Sequence, residues 1–464
     1  MSATEVGTKA CTVNPLKASP ALGGTLAFLG IDRCLPLLHG SQGCTAFALV
    51  LLVRHFREAI PLQTTAMSEL STILGGADNI EQAIANIYER AKPRLIGLCS
   101  TALTETRDED VRGDLRSLMA RHPEWHNDLS VVYAPTPDFA GSLEVGWASA
   151  VQAMIDALVE KQRQPRVLRQ VNLLPASYMT PADVETIREI IEGFGLSAIV
   201  LPDLSGSLDG HVPDEYVPTT LGGTPVEQVA RMGESRMTLA IGEHMRGAAE
   251  ALERRSGVPF QVFDRLIGLE AFDAFVETLI DLSGRPAPEK LRRDRNRLVD
   301  AMLDGHFYFT GRTVAVAAEP DLLVAVTRFL DEMGCRIAAA ITTMKLPPAA
   351  KIPCENVVVG DLDDLERLAP SGECDLVIAN AHAETAAAAI GAPLYRIGFP
   401  VFDRLGAGHR ISVGYRGTRE LLFNIGNIFI DRQAEVPPYL RRDREGANDA
   451  SDVNAQVAVG RHGS

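Results

Sequence analysis

Apolar residues follow two alternating rhythms along the chain. Short apolar runs read as buried strands, and stretches with apolar residues three or four apart read as amphipathic helices. Ile80–Ala91 (IEQAIANIYERA) has helical spacing, and Arg94–Cys99 then reads as a short buried strand. Residues 129–134 read as a second strand and 142–160 as a long helix. After a basic, Gln-rich joint at 161–166, the alternation resumes with a strand at 170–174. Thr180 caps a helix with Pro181 in its first turn. Val184, Ile187, Ile190 and Ile191 form its stripe, Gly193 and Gly195 end it, and 197–201 is the next strand. Residues 202–224 are rich in Gly, Pro, Asp and Ser and read as a loop long enough to be functional or disordered. Helices at 225–233 and 243–255 flank a short strand near 238–240.

A charged connector at 283–297 leads into a solvated helix. The last unit is the clearest. Strands are expected at 313–317, 335–341, 357–360, 376–379 and 394–397, with helices at 320–333, 382–390 and 414–430. Such alternation predicts parallel sheets covered by helices. The expected fold is therefore α/β, with three Rossmann-like parallel-sheet domains at 21–165, 166–305 and 306–434. A flexible arm at 1–20 and a polar, disordered tail at 435–464 complete the expected organisation.

Composition narrows the function. The chain has 464 residues, 46% apolar and 23% charged, as in soluble globular proteins. A net charge of −15 argues against a nucleic-acid binder held by phosphate contacts. The N-terminus lacks an apolar signal core, and the run from Thr45 to Val53 is too short to cross a bilayer. A cytoplasmic protein is expected. Cysteines fall at 11, 34, 44, 99, 335, 354 and 374, with no C-x-x-C pair, so neither a zinc ribbon nor a disulfide framework is expected. Phosphate-loop, dinucleotide, zinc-protease and α/β-hydrolase signatures are missing from the sequence.

The chemistry that remains centres on Leu38–Phe47 (LHGSQGCTAF). Cys44 sits where a helix begins. The unpaired N–H groups and positive dipole end there favour a thiolate, the form that binds metal. Gly40 and Gly43 let the backbone approach something bulky. A buried Cys acting as a small hydrophobe is the competing reading of Cys44. His55 reads as a surface or capping group. The apolar stretch 22–38 is expected to pack around the Cys44 loop, and residues 22–60 to form a pairing surface.

The strings HGSQGC at 39–44, RHFREAIPLQTTAMSE at 54–69, CSTALTETRDED at 99–110 and IGFPVFDRLGAGHR at 397–410 resemble the nitrogenase component 1 family. The likeness runs in order from about residue 14 to 430. It is greater to the family's cofactor-assembly scaffold branch than to the β subunit of the reductase itself. In that reductase, the β subunit gives three cysteines to an eight-iron cluster. The first falls on Cys44 here, whereas Leu62 and Ala102 stand where the others belong. Cys99 lies three residues early, at a strand end, and reads as a buried strand residue.

The resemblance implies a scaffold subunit rather than a self-sufficient enzyme, serving biosynthesis of the nitrogenase iron–molybdenum cofactor in nitrogen fixation. Cys44 would be its metal and cofactor ligand, giving one thiolate to a [4Fe-4S] cluster shared with a homologous E subunit in an α2β2 heterotetramer. The iron–molybdenum cofactor precursor would be held mainly by that partner. Further implied partners are the precursor donor NifB, the nitrogenase iron protein and apo-nitrogenase component 1. The alternative is a divergent nitrogenase or protochlorophyllide-reductase-like β-type subunit. Glu105, Arg107 and the 202–224 loop read as solvated groups, with no role carried onto them.

Overall fold

In the computed structural model the described residues are 3–6, 12–106, 109–161, 165–212, 214–346 and 351–434. The expected tail at 435–464 and Arg107 lie outside them. Among the described residues fourteen strands form three sheets, and every pairing is parallel. Strand β1 (Ala3–Val6) belongs to the last sheet. The first sheet contains β2 (Cys34–His39), β3 (Gln63–Thr64), β4 (Leu95–Ser100) and β5 (Ser130–Ala134), ordered β3-β2-β4-β5. The second contains β6 (Val167–Leu174), β7 (Ser197–Val200), β8 (Ser235–Ile241) and β9 (Phe260–Phe263), ordered β7-β6-β8-β9. The third contains β10 (Thr313–Ala318), β11 (Arg336–Thr342), β12 (Asn356–Val359), β13 (Leu376–Ala379) and β14 (Leu394–Arg396). Its order is β1-β12-β11-β10-β13-β14. The α/β architecture of three parallel sheets is thus the one expected.

The beginning of the chain differs from expectation. Residues 1–20 read as a loose arm, yet Ala3–Val6 pairs with Asn356–Val359 as an edge strand. An edge strand is held by ladder hydrogen bonds on one side, which any sequence can make, so it needs no apolar run. The stretch 22–38 also resolves into two elements, α1 (Pro20–Leu29) and β2. Ser19 caps α1 by accepting the Leu22 N–H, and Pro20 occupies its first turn. All ten residues of α1 are buried, so it has no polar face to reveal a helical rhythm.

Glycines allow this burial. A Cβ on Gly23 would lie 1.9 Å from Leu143 O, and one on Gly146 1.8 Å from Pro20 O. The backbones of α1 and the helix Leu143–Leu158 therefore touch with no side chain between them. The apolar residues 22–38 fill this chain's own core and do not form the expected pairing surface. One continuous core joins α1 and this helix to Leu174, Leu201 and Leu252 of the second unit. Another joins Leu173 and Phe263 to Leu323 and Phe429 of the third.

The three units also meet at a polar junction. Glu144 comes from the first unit, His244 from the turn after β8, and Glu319 and Asp321 from the turn after β10. The Asp321 N–H donates to Glu144 Oε2 at 3.3 Å, and the His244 N–H to Asp321 Oδ2 at 3.0 Å. Thr343 Oγ1 donates to Glu319 at 3.0 Å, and Ser142 Oγ donates to it as well. Burial pushes Glu319 up to about 7, against the lowering effect of those two hydroxyls. Burial, then the charges of Asp321 and Glu319, raise Glu144 well above the usual carboxylate range.

These carboxyls prefer their protonated form in the fold but ionise at ordinary values in the unfolded chain. Stability from this junction is therefore greatest below the ordinary carboxylate range. It falls as pH rises through about 7. Glu144→Gln removes one of the competing charges. It is expected to raise the melting temperature at pH 8 by about 2 °C or more, and to change it little at pH 5. Melts of the two proteins at both pH values check this; an equal shift at both would refute the electrostatic cause.

Candidate functional site: the outward face of the Cys44 helix

Helix α2 (Gln42–Phe56) starts directly after β2, at the carboxyl edge of the first sheet. Ligands of open parallel sheets gather at that edge. The loop before α2 is held tightly. Gly40 N donates to Thr65 Oγ1 at 3.1 Å, and Thr101 Oγ1 donates to His39 O at 2.9 Å. A Cβ on Gly40 would lie 2.6 Å from Thr101 Oγ1, so glycine is required there by close approach. That approach is to the chain's own Thr101. Gly43 has only Ser41 Oγ near its added Cβ, at 3.8 Å, and faces open space.

Beneath the loop, His39 is fully buried. Its Nε2 lies 3.2 Å from Glu109 Oε2 and its Nδ1 3.0 Å from Thr65 Oγ1. The carboxylate fixes the proton on Nε2, so Nδ1 accepts from the Thr65 hydroxyl. Burial lowers the His39 pKa, while Glu109 opposes that shift. A Cβ on Gly76 would come 2.4 Å from the His39 ring. This packing orients the turn that presents Cys44.

Cys44 is exposed, with Ser41 Oγ 3.5 Å from its Sγ. Ser41 occupies the N-cap position of α2 but makes no capping bond. The other described cysteines differ. Cys34, Cys99, Cys335 and Cys374 are buried, and Cys354 is half-buried. Burial pushes Cys99 and Cys335 up to about 12, and raises Cys34 and Cys374 also. These four are held as thiols, which ligate metal poorly. Cys99 lies on β4 between Leu38 and Ala134 of its neighbours, as its buried-strand reading requires. The competing reading of Cys44 as a small buried hydrophobe fails, because its side chain faces outward.

Leu62 is buried in the same core as Leu52 and Ile60. Ala102 opens the four-residue helix Ala102–Glu105. Neither position can ligate a metal. A single outward thiol fits one corner of a cluster whose other ligands come from a facing surface; it does not fit a cluster enclosed by this chain. Among the described residues one trio, Glu144, His244 and Asp321, brings ligand atoms within 4.8 Å of one another. His244 has no lone pair left for an ion there, because Nδ1–H donates to Asp321 and Nε2 accepts the Ser177 N–H at 3.2 Å.

Around Cys44, α2 divides into two faces. Thr45, Ala48 and Leu52 are buried. Cys44, Phe47, Val50 and Val53 point outward, with Phe47 77% and Val50 52% exposed. Cys44, Phe47 and Val50 follow one another at spacings of three, so each apolar group neighbours the next on the outward side, and Val53 lies further round the helix. A helix apolar on both sides is expected to bury both, so the outward stripe is an uncovered contact face. Of the large apolar side chains in the 22–60 stretch expected to pair, Phe47, Val50 and Val53 are the exposed ones. The far end of the stripe is pinned by the third unit. Arg54 lies 4.1 Å over the Phe402 ring, and Arg57 donates to Phe402 O at 2.8 Å.

His55 is not the surface group expected. Its Nδ1 accepts the Val401 N–H at 2.9 Å, and burial pushes its pKa down to about 4. The long loop is likewise a strap on the first sheet. Thr220 Oγ1 accepts the Cys34 N–H at 2.7 Å, Ile31 bridges Thr224, and Leu204 and Leu208 are buried. Glu105 accepts from the Tyr133 hydroxyl at 2.8 Å. No helix among the described residues is long and apolar enough to cross a membrane.

Comparison with known proteins agrees over nearly the whole length. The family described as nitrogenase component 1 type oxidoreductase matches residues 19–430. A relative from Rhizobium meliloti (strain 1021), named nitrogenase iron-molybdenum cofactor biosynthesis protein NifN, is 53% identical over 424 residues. That alignment covers 91% of this chain and 96% of the relative. A protein of the same name from Klebsiella pneumoniae is 38% identical, covering 95% of this chain and 96% of its own length. Among solved structures, one titled "Nitrogenase Cp1 at pH 6.5" superposes with a TM-score of 0.87 at 30% identity. The match covers 94% of this chain and 98% of that one.

Proposed function

The chain belongs to the nitrogenase component 1 type oxidoreductase family, and on that premise we propose that it is a scaffold subunit for assembling the nitrogenase iron–molybdenum cofactor. The relatives that share its length carry that role in their name. In this reading the chain pairs with a homologous E subunit, in an α2β2 heterotetramer, and gives Cys44 to a [4Fe-4S] cluster at their interface. The carrying observation is the single exposed thiol among the described cysteines, set on the uncovered apolar stripe of α2.

A four-iron cluster takes about four thiolates and, when bound, supplies one-electron transfer. Each residue has a part in presenting it. Cys44 gives one thiolate. The Gly40 turn, locked by Thr65, Thr101 and His39, sets where that thiolate stands. Phe47 and Val50 exclude water from the contact once covered. The precursor itself is held mainly by the partner, and NifB, the nitrogenase iron protein and apo-nitrogenase component 1 are its further contacts in this reading. A reductase β-type role is disfavoured by Leu62 and Ala102, which leave an eight-iron cluster two ligands short. A cytoplasmic location accords with this role.

Anaerobic co-purification with the E subunit, followed by iron quantitation and electron paramagnetic resonance, tests the reading. A heterotetramer with about four irons per interface is expected. An iron-free complex, or one with about eight irons per interface, would refute it.

A further inference from the structure

Behind α2, a cavity of about 100 Å³ lies where the three units meet. Its wall includes His55 from α2, Ser177 and Tyr178 after β6, and Arg410 from the loop before the helix Gly414–Ala434. Each brings a donor that the fold leaves unused. His55 Nδ1 accepts the Val401 N–H, so the proton of its neutral ring lies on Nε2, and among the described residues no hydrogen bond forms from that N–H. Arg410 gives one N–H to Arg396 O at 3.3 Å and lies 6.0 Å from the Tyr395 ring centre. It forms no ion pair among the described residues. The Ser177 and Tyr178 hydroxyls are buried without a partner, and buried polar groups left so call for an explanation.

Of the charged groups around them, the buried Asp183 accepts from the Thr180, Ser412 and Val413 N–H groups, and Asp321 accepts from the His244 N–H. Arg396 is held by Asp403, and Glu420, the carboxylate on this wall, is held by Arg416 at 3.1 Å. What remains is one unpaired guanidinium and three neutral donors in a confined, largely apolar space between units, where ligand sites tend to occur. A guanidinium fork suits two oxygens, and the ring N–H and the two hydroxyls can each donate to an anion. The volume equals about three waters, which admits only a compact ligand.

We propose that this cavity binds a compact oxyanion, a small carboxylate or tetrahedral anion, between Arg410 and the Nε2–H of His55. An occupant would touch the C-terminal turn of α2 and all three units at once. The inference stands apart from the cluster reading, since no residue of the cavity lies on the outward face of α2.

The test is titration calorimetry on the full-length chain, in the assembly in which it purifies, with inorganic phosphate and with malonate. Saturable binding of at least one of them is expected, weakened about tenfold or more by Arg410→Gln. Arg410→Lys keeps the charge but loses the fork, and covers the case in which the first variant fails to fold. The His55 ring signal should titrate at higher pH in the presence of the bound anion. Binding of phosphate alone identifies a tetrahedral site and of malonate alone a carboxylate site. Binding of neither, or binding untouched by both Arg410 variants, overturns the proposal.

Discussion

Cys44→Ala should strip the iron from the assembled complex while leaving the melting temperature of this chain nearly unchanged. The two outcomes separate because Cys44 does little for the fold. Its side chain is exposed and α2 keeps its first turn without it. Alanine is the best helix former, so the change should fall within about 0.5 kcal/mol. Coordination is less tolerant: a methyl group has no lone pair, and a four-iron cluster would lose one of about four ligands. Cys99→Ala is the control. Cys99 fills space beside Gly24, whose added Cβ would lie 2.8 Å from its sulfur. Its loss should cost about 1 kcal/mol of packing and no iron. Iron per heterodimer and the spectrum of the reduced cluster, compared across wild type and both variants, decide the matter. Full iron in Cys44→Ala would remove the basis for the shared cluster, and iron lost only from Cys99→Ala would move the ligand to the end of β4.

The sequence carries much of this fold because most elements have one clear rhythm. The third unit is plainest: Thr313–Ala318 and Leu376–Ala379 are short apolar runs, and Pro320 and Gly334 bracket the helix between two strands. Elements that obey no rhythm were hidden. Helix α1 is buried on every side, and Gly23 is the means of its close packing against the helix Leu143–Leu158. Strand β1 has no apolar run because it sits at an edge. The helix Leu269–Ser283 and strand β9 lie outside the elements expected from the sequence.

The candidate site was legible at Cys44 only as a thiol placed after two glycines at a helix start. It was less legible at His55, whose partner Val401 lies 346 positions away. No local pattern reports a contact of that kind. The outward stripe of α2 was visible only as excess hydrophobicity, since TAFALVLLV is apolar toward both the core and the surface. Which side faces the core required the packing of Ala48 and Leu52.

That stripe makes the second large effect predictable. Phe47→Asp should abolish pairing with the E subunit, and with it the iron content, while the isolated fold survives. Phe47 is 77% exposed in this chain, so aspartate there meets water and costs the folded monomer little. At a covered interface the same carboxylate would be buried without a partner, and the apolar anchor would be gone. Aromatic anchors near an interface centre are worth about 2 kcal/mol or more each, and an unpaired buried charge adds several more. The sum exceeds what a complex of ordinary affinity can lose. Phe139, 65% exposed but on the loop after β5, tests whether any exposed aromatic would do. Phe139→Asp should pair far better than Phe47→Asp if the α2 stripe is the contact. Co-purification yield and analytical ultracentrifugation of the two variants with the E subunit measure this. A Phe47→Asp chain that still forms an iron-bearing heterotetramer would mean that the stripe faces solvent in the assembly, and the surface that shares the cluster would have to lie elsewhere.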